Sequence, residues 1–261
     1  MNMKMPVLFV GHGSPMIAIN EDRFTDGFKK IAEILPKPKA VICISAHWET
    51  SELAVTAMEH PKTIHDFGGF PKALYEQKYP APGSPGLADE IAKTIKMFPV
   101  VKDEFEWGLD HGTWTVMKYL FPEADVPIVQ LSLDHFLTPQ QHYDVAKQLS
   151  PFREKGVMVI GSGNMIHNLR ILDWNHINVD YAYSWTKDVA QDMERAILTD
   201  NHKALISFPD RGGDFRFAIP TKEHYLPLLY AVALKEENDK IRLFNEGFLG
   251  GSLSMTSVLI G

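Results

Sequence analysis

The sequence predicts an α/β fold: a single domain with a central mixed, largely parallel sheet flanked by helices. Three observations lead there. Short runs rich in Val and Ile recur at residues 6–10, 40–45, 126–133 and 156–161, each ending in or running into Gly, Ser or another polar residue. They are continuously apolar rather than alternating, as strands covered on both faces of a parallel sheet are. Helical patterns lie between them, and alternating strands and helices build α/β architectures. One domain spanning residues 1–261 is expected, because no repeat, low-complexity tract or linker interrupts the chain.

The elements follow in order. The run at 6–10 is the first strand. Residues 24–35 carry Phe24, Phe28, Ile31, Ile34 and Leu35 on one helical stripe, a period near 3.6. The strand at 40–45 holds Cys43, the single cysteine. It reads as a small buried hydrophobe with no partner for an intramolecular disulfide, which fits a reducing compartment. Residues 59–83 are proline-rich and lack periodicity, and a loop that long in a compact domain is usually functional. Helical patterns return at 86–98, 113–121 and 139–149, with the strands at 126–133 and 156–161 between and after them. The longest helix is expected at 181–198, capped by Asp180, and an apolar one at 223–234. Residues 253–260 alternate as an antiparallel strand does, which makes the sheet mixed.

With 45% hydrophobic residues the chain can build a sizeable core. A net charge of −7 and the lack of any Lys/Arg-rich run argue against nucleic acid or an anionic membrane as partner. No segment approaches the roughly 20 apolar residues of a membrane span. The N-terminus runs into the first strand without a signal-peptide pattern, so a cytoplasmic protein is expected.

The chemistry lies in the histidines, of which there are 11. His12 follows the first strand in Gly11-His12-Gly13-Ser14-Pro15, and His47 follows the second in Ser45-Ala46-His47-Trp48. His167 comes soon after the strand at 156–161, in Gly163-Asn164-Met165-Ile166-His167-Asn168. A lone histidine at a strand end is more often a hydrogen-bonding residue than a ligand. Three at equivalent ends of parallel strands share the edge where α/β proteins bind ligands, so a metal site is the natural hypothesis. Neither spacing matches a short-range zinc signature. His111, in Asp110-His111-Gly112-Thr113, fits an N-terminal helix position equally well, and His60, His135, His142, His176 and His202 draw no chemical assignment. Glu223 and His224 are adjacent, so on a helix they point about 100° apart and only one readily faces a shared ion. A carboxylate would complete a two-histidine, one-carboxylate triad, and a histidine an all-nitrogen set. Gly161-Ser162-Gly163 lacks the full nucleophile-elbow pattern, and no dinucleotide or Walker fingerprint occurs.

Several motifs occur together in one order. They are Gly11-His12-Gly13-Ser14-Pro15, Ser45-Ala46-His47-Trp48, Thr63-Ile64-His65-Asp66-Phe67-Gly68-Gly69-Phe70 and Tyr79-Pro80-Ala81-Pro82-Gly83, then Trp107-Gly108-Leu109-Asp110-His111-Gly112. Gly163-Asn164, His167-Asn168-Leu169-Arg170 and Glu223-His224-Tyr225-Leu226-Pro227-Leu228-Leu229 complete them. Through these the chain resembles the class III (LigB-like) extradiol ring-cleavage dioxygenases, in the bacterial and plant 4,5-DOPA dioxygenase branch. The likeness runs from about Pro6 to Gly251-Ser252-Leu253-Ser254-Met255.

The resemblance implies an enzyme that opens a catechol such as L-DOPA with dioxygen to a muconate semialdehyde. It makes His12, His47 and His224 the metal ligands. His167 becomes the acid/base beside the metal, touching the ion when substrate is absent, and His111 a second catalytic histidine of the pocket. The implied cofactor is Fe(II), with Zn(II) an expected occupant of the purified protein, since three histidines also describe a catalytic zinc site. The implied partners are a small catechol and dioxygen, with no nucleic acid or membrane, in a monomer or homodimer. His65 and the loop at 59–83 are expected to cover the pocket and meet the substrate's amino-acid tail. Two other readings stand beside this one: a zinc-dependent hydrolase on a similar scaffold, and a non-enzymatic binding protein like the distant Memo-type relatives.

Overall fold

The computed structural model describes residues 4–177 and 179–261. Its central sheet is built from β1 (Val7–Gly11), β2 (Ala40–Ser45), β3 (Ile128–Gln130), β4 (Val157–Gly163), β5 (Ile241–Phe244) and β6 (Ser257–Ile260). The spatial order is β3-β2-β4-β1-β6-β5. The first four in that order run parallel, and β6 and then β5 add antiparallel at one side. This is the mixed, largely parallel sheet expected from the apolar runs and the alternating C-terminus.

Every residue of β1, β2 and β4 is buried, which is why their sequences are apolar without a break. Alternate side chains feed two cores. Val7, Phe9, Ile42, Ile44 and Val159 face one helical layer, while Leu8, Val10, Val41, Cys43 and Ile160 face the other. That second layer contains α1 (Arg23–Ala32) and α3 (His111–Leu120). The first contains α2 (Pro85–Thr94), α4 (Pro139–Lys147), α5 (Ser184–Leu198) and α6 (Leu226–Ala233).

Several boundaries differ from the sequence expectation, each for a local reason. The apolar run at 126–133 is divided: β3 ends at Gln130, and Leu133–Asp134 pairs instead with Glu49–Thr50. The run at 253–260 is likewise two pieces, Leu253–Ser254 and β6. The helix expected from 181 starts at Ser184, because the Asp180 carboxylate is used elsewhere, accepting from the Phe248 N–H and pairing with Arg23. The helix expected from 223 starts at Leu226, which leaves Glu223 and His224 in the turn before it. The pairing of Leu53–Thr56 with Val100–Asp103 was not foreseen, since strands of that length carry little periodicity.

Register brings the ends of three strands level. Gly11 lies opposite Gly163 and Ser45 opposite Ser162, so the residues following β1, β2 and β4 emerge along one sheet edge. That edge is the C-terminal one, where open α/β sheets bind ligands.

His142 ties α4 to α6 away from that edge. Its Nε2–H donates to the Asp134 carbonyl at 3.1 Å, so its Nδ1 accepts from the Tyr230 hydroxyl at 3.1 Å. Burial lowers His142 to about 4, against 6.5 in an unfolded chain. The unfolded chain therefore binds the proton more readily, and stability falls as pH drops from 6.5 and stops falling on this account below about 4. The loss from this one residue is on the order of 3 kcal/mol. We expect the melting temperature of wild type to fall more steeply between pH 6.5 and 4.5 than that of His142→Gln. Parallel curves would mean that His142 is not kept neutral in the fold.

Candidate metal centre

His12, His47 and His224 each offer one ring nitrogen, and those three atoms lie within 4.8 Å of one another. Each arrives from a different element. His12 is the residue after β1, held by its own N–H donating to the Gly163 carbonyl at 3.0 Å. His47 stands two residues past β2, after Ala46 has donated to the Ser162 carbonyl at 2.9 Å. His224 comes from the turn before α6, whose carbonyl accepts from the Asn164 N–H at 2.9 Å. That turn presses so closely on β4 that a Cβ at Gly163 would stand 2.1 Å from the His224 carbonyl oxygen. The glycines of Gly161-Ser162-Gly163 thus serve a steric purpose: they let His224 reach the centre.

The outer nitrogens decide the tautomers. The Ser162 hydroxyl donates its hydrogen to the Gly112 carbonyl at 2.5 Å, so its oxygen accepts from His12 Nδ1–H at 2.9 Å. His47 Nδ1 faces Asp66 Oδ2 at 3.5 Å, and His224 Nδ1–H donates to Glu223 Oε1 at 3.1 Å. Ionised carboxylates only accept, so His224, like His12, carries its hydrogen on Nδ1 and turns Nε2 inward as a lone pair, and the carboxylate beside His47 favours the same tautomer there. The Nε2 atoms of His12 and His47 are 3.1 Å apart. A metal would need both atoms as lone pairs, which requires the His47 hydrogen on Nδ1, beside Asp66. Burial first, and then the neighbouring histidines, push His12 and His47 well below the usual imidazole range, so both stay neutral. Neutral imidazoles with anchored outer nitrogens are what a divalent transition metal requires. The donor set fits.

His167 and His111 flank the trio. The His167 ring stacks on His224 with centroids 3.5 Å apart and planes 5° from parallel. Its ring nitrogen groups with Glu223 and His224 rather than with His12 and His47. Burial, then His224, lowers it to about 3, which keeps it neutral and able to accept a proton. His111 is the first residue of α3, capped by the buried Asp110, and is thus both the helix residue and the pocket residue that its motif allowed. Glu223 is brought to about 2: burial pushes its carboxyl up, but hydrogen bonds from His224 and Thr221 outweigh that.

All five histidines line one cavity of about 510 Å³. Its walls are mostly apolar and include Met16, Phe67, Phe70, Leu172 and Trp174. Asp22 is the one Asp, Glu, Lys or Arg lining it, among the described residues. His65 is not at the wall. Its Nε2–H donates to the Gln77 carbonyl at 3.0 Å and its ring packs on Trp114, so it braces the loop from behind while Phe67 and Phe70 face the cavity. Sequence reasoning missed Ser162 and Asp66. Ser162 is a strand residue whose role appears only when β1 and β4 are paired, and Asp66 lay inside a quoted motif beside the more conspicuous His65.

Residues 6–248 match the family described as the catalytic LigB subunit of aromatic ring-opening dioxygenase. A protein of Escherichia coli (strain K12) named 4,5-DOPA dioxygenase extradiol is 42% identical over 260 residues, covering 99% of this chain and 95% of that one. A protein of the same name from Beta vulgaris is 34% identical, covering 95% and 94%. Among solved structures, that of an uncharacterized Escherichia coli K12 protein superposes with a TM-score of 0.85 at 37% identity, over 98% of this chain and 100% of the other.

Proposed function

The chain belongs to the LigB family of aromatic ring-opening dioxygenases, and from that premise we propose that it opens the ring of L-DOPA or a close catecholamine with dioxygen, giving a muconate semialdehyde. In this reading His12, His47 and His224 hold Fe(II), and His167 is the acid/base. The observation that carries it is the convergence of three imidazoles, each with its outer nitrogen beside a serine or a carboxylate, in the wall of a mostly apolar cavity. Three histidines also suit zinc, and the preference for iron rests on the family's use of dioxygen.

Bound there, Fe(II) would acidify the diol and supply the redox partner that dioxygen needs. The chain's own groups do the rest. Neutral His167 takes a phenolic proton onto its ring and returns it later in the cycle, the bound catecholate's negative charge raising its basicity above that of the empty site. His111 gives its Nδ1–H to Asp66 at 2.9 Å and keeps Nε2 as an acceptor for a substrate hydroxyl. Phe67, Phe70 and Trp174 flank the aromatic ring and exclude water.

The cavity's charge favours a cationic tail. Asp22 lies at the wall with Oδ1 already accepting from the Phe24 and Thr25 N–H groups, and no lysine or arginine lines the cavity among the described residues. A substrate ammonium finds a partner here and a substrate carboxylate finds none. Asp22→Asn keeps the helix cap, because Asn caps as well as Asp. It should raise KM for L-DOPA and dopamine about threefold to fivefold, the worth of one exposed ion pair, and leave KM for 4-methylcatechol unchanged. Equal effects on all three would remove Asp22 from the account.

The reading as a whole is tested in an oxygen electrode. Protein reconstituted anaerobically with Fe(II) should consume one dioxygen per L-DOPA as a yellow product appears. No uptake with any catechol, at confirmed iron occupancy, would sink it.

A further inference from the structure

We propose that Asp66 is the positioning residue of this centre, one carboxylate that sets the tautomers of both His47 and His111. Asp66 Oδ2 lies 2.9 Å from His111 Nδ1 and 3.5 Å from His47 Nδ1. Its Oδ1 accepts from the backbone N–H of His111 at 2.9 Å, one of the N–H groups left free at the start of α3. Two hydrogen bonds from His111 thus converge on the carboxylate, and His47 Nδ1 stands at ion-pair distance from one of its oxygens. The two rings it serves are in contact, with centroids 3.9 Å apart.

The consequence is chemical. An ionised carboxylate has no hydrogen to give, so His111 presents Nδ1–H to it, the His47 hydrogen is drawn to the Nδ1 beside it, and both rings then turn Nε2 toward the cavity as acceptors. For His47 that is the lone pair a metal takes; for His111 it is the atom that meets substrate. Without Asp66 either ring could place its hydrogen on Nε2, which would blunt a ligand in one case and reverse a hydrogen bond in the other. Asp66 also belongs to the loop that supplies Phe67, whose ring lies 5.6 Å from His111. The same residue therefore ties the apolar wall to the centre. A carboxylate behind a ligating histidine is worth roughly 10- to 100-fold in metal affinity.

The His47 half of this inference rests on the metal reading above; the His111 half does not. The test uses Asp66→Asn, whose amide has one accepting atom where the carboxylate has two and which adds a donor. Metal affinity, read by competition of Zn(II) against a chelator, should fall 10- to 100-fold. Long-range ¹H–¹⁵N spectra of the metal-free protein should show Nδ1–H on His47 and His111 in wild type and a changed tautomer on at least one in the variant. With iron saturating, kcat should fall more than KM changes. A folded variant with unchanged metal affinity and both rings still Nδ1–H would overturn the proposal. If the variant does not fold, the wild-type spectrum decides: Nε2–H on either ring overturns it, and Nδ1–H on both bears it out. If wild type binds no metal, the functional reading fails, while the His111 tautomer still reports on Asp66.

Discussion

Replacing His12 by alanine is expected to weaken binding of Fe(II) or Zn(II) by at least about a hundredfold and to abolish ring opening. The magnitude follows from sharing. Histidine and cysteine sites bind zinc with roughly 10–16 kcal/mol over four ligands, so one ligand is worth about 3 kcal/mol, which is a factor of roughly a hundred. His12 is the member of the trio whose loss is hardest to compensate. It is 1% exposed, its Nδ1 is held by Ser162, and its ring touches those of His47, His111 and His224. The wild type should gain stability on adding metal, whereas the variant should not. Chelator competition and melting curves with and without Zn(II) check this. A variant that binds metal as wild type does would take His12 out of the ligand set.

His167→Ala should give the opposite signature: metal retained, chemistry lost. His167 stacks on His224 and lines the cavity, but its ring nitrogen does not fall within the group formed by His12, His47 and His224. Deleting it should leave metal affinity within a few-fold of wild type. A positioned general acid/base contributes roughly 10²- to 10⁴-fold, and kcat should fall by that amount with KM little changed. Wild-type kcat should lose activity toward acid as His167 takes up a proton, and the residual activity of the variant should lack that limb. Metal loss equal to that of His12→Ala would make His167 a fourth ligand rather than the base; unchanged kcat would leave it with no role.

How much of this was legible before the fold was known differs by element, for physical reasons. β1, β2 and β4 were readable because strands buried on both faces must be apolar throughout. His12, His47 and His167 were conspicuous because each follows such a run. The short pair Leu53–Thr56 and Val100–Asp103 was not, since four residues hold too few periods. The choice between Glu223 and His224 stayed open on residue grounds, because it assumed both were helical; they lie in a turn, where the carboxylate sits behind the imidazole instead of competing with it. Asp66 was out of reach for a different reason. Its work depends on a proline-rich loop crossing to the start of α3, and no local pattern records a crossing.

The central claim is that this histidine centre performs extradiol cleavage, and isotope labelling tests it most directly. Protein loaded with Fe(II) under argon would be mixed with L-DOPA, exposed to ¹⁸O₂, and the product examined by mass spectrometry. The account predicts a product heavier than the substrate by one dioxygen molecule, with ¹⁸O from the gas in its new carboxylate. A product whose added oxygen comes only from water would instead contradict the account and mark a metal hydrolase.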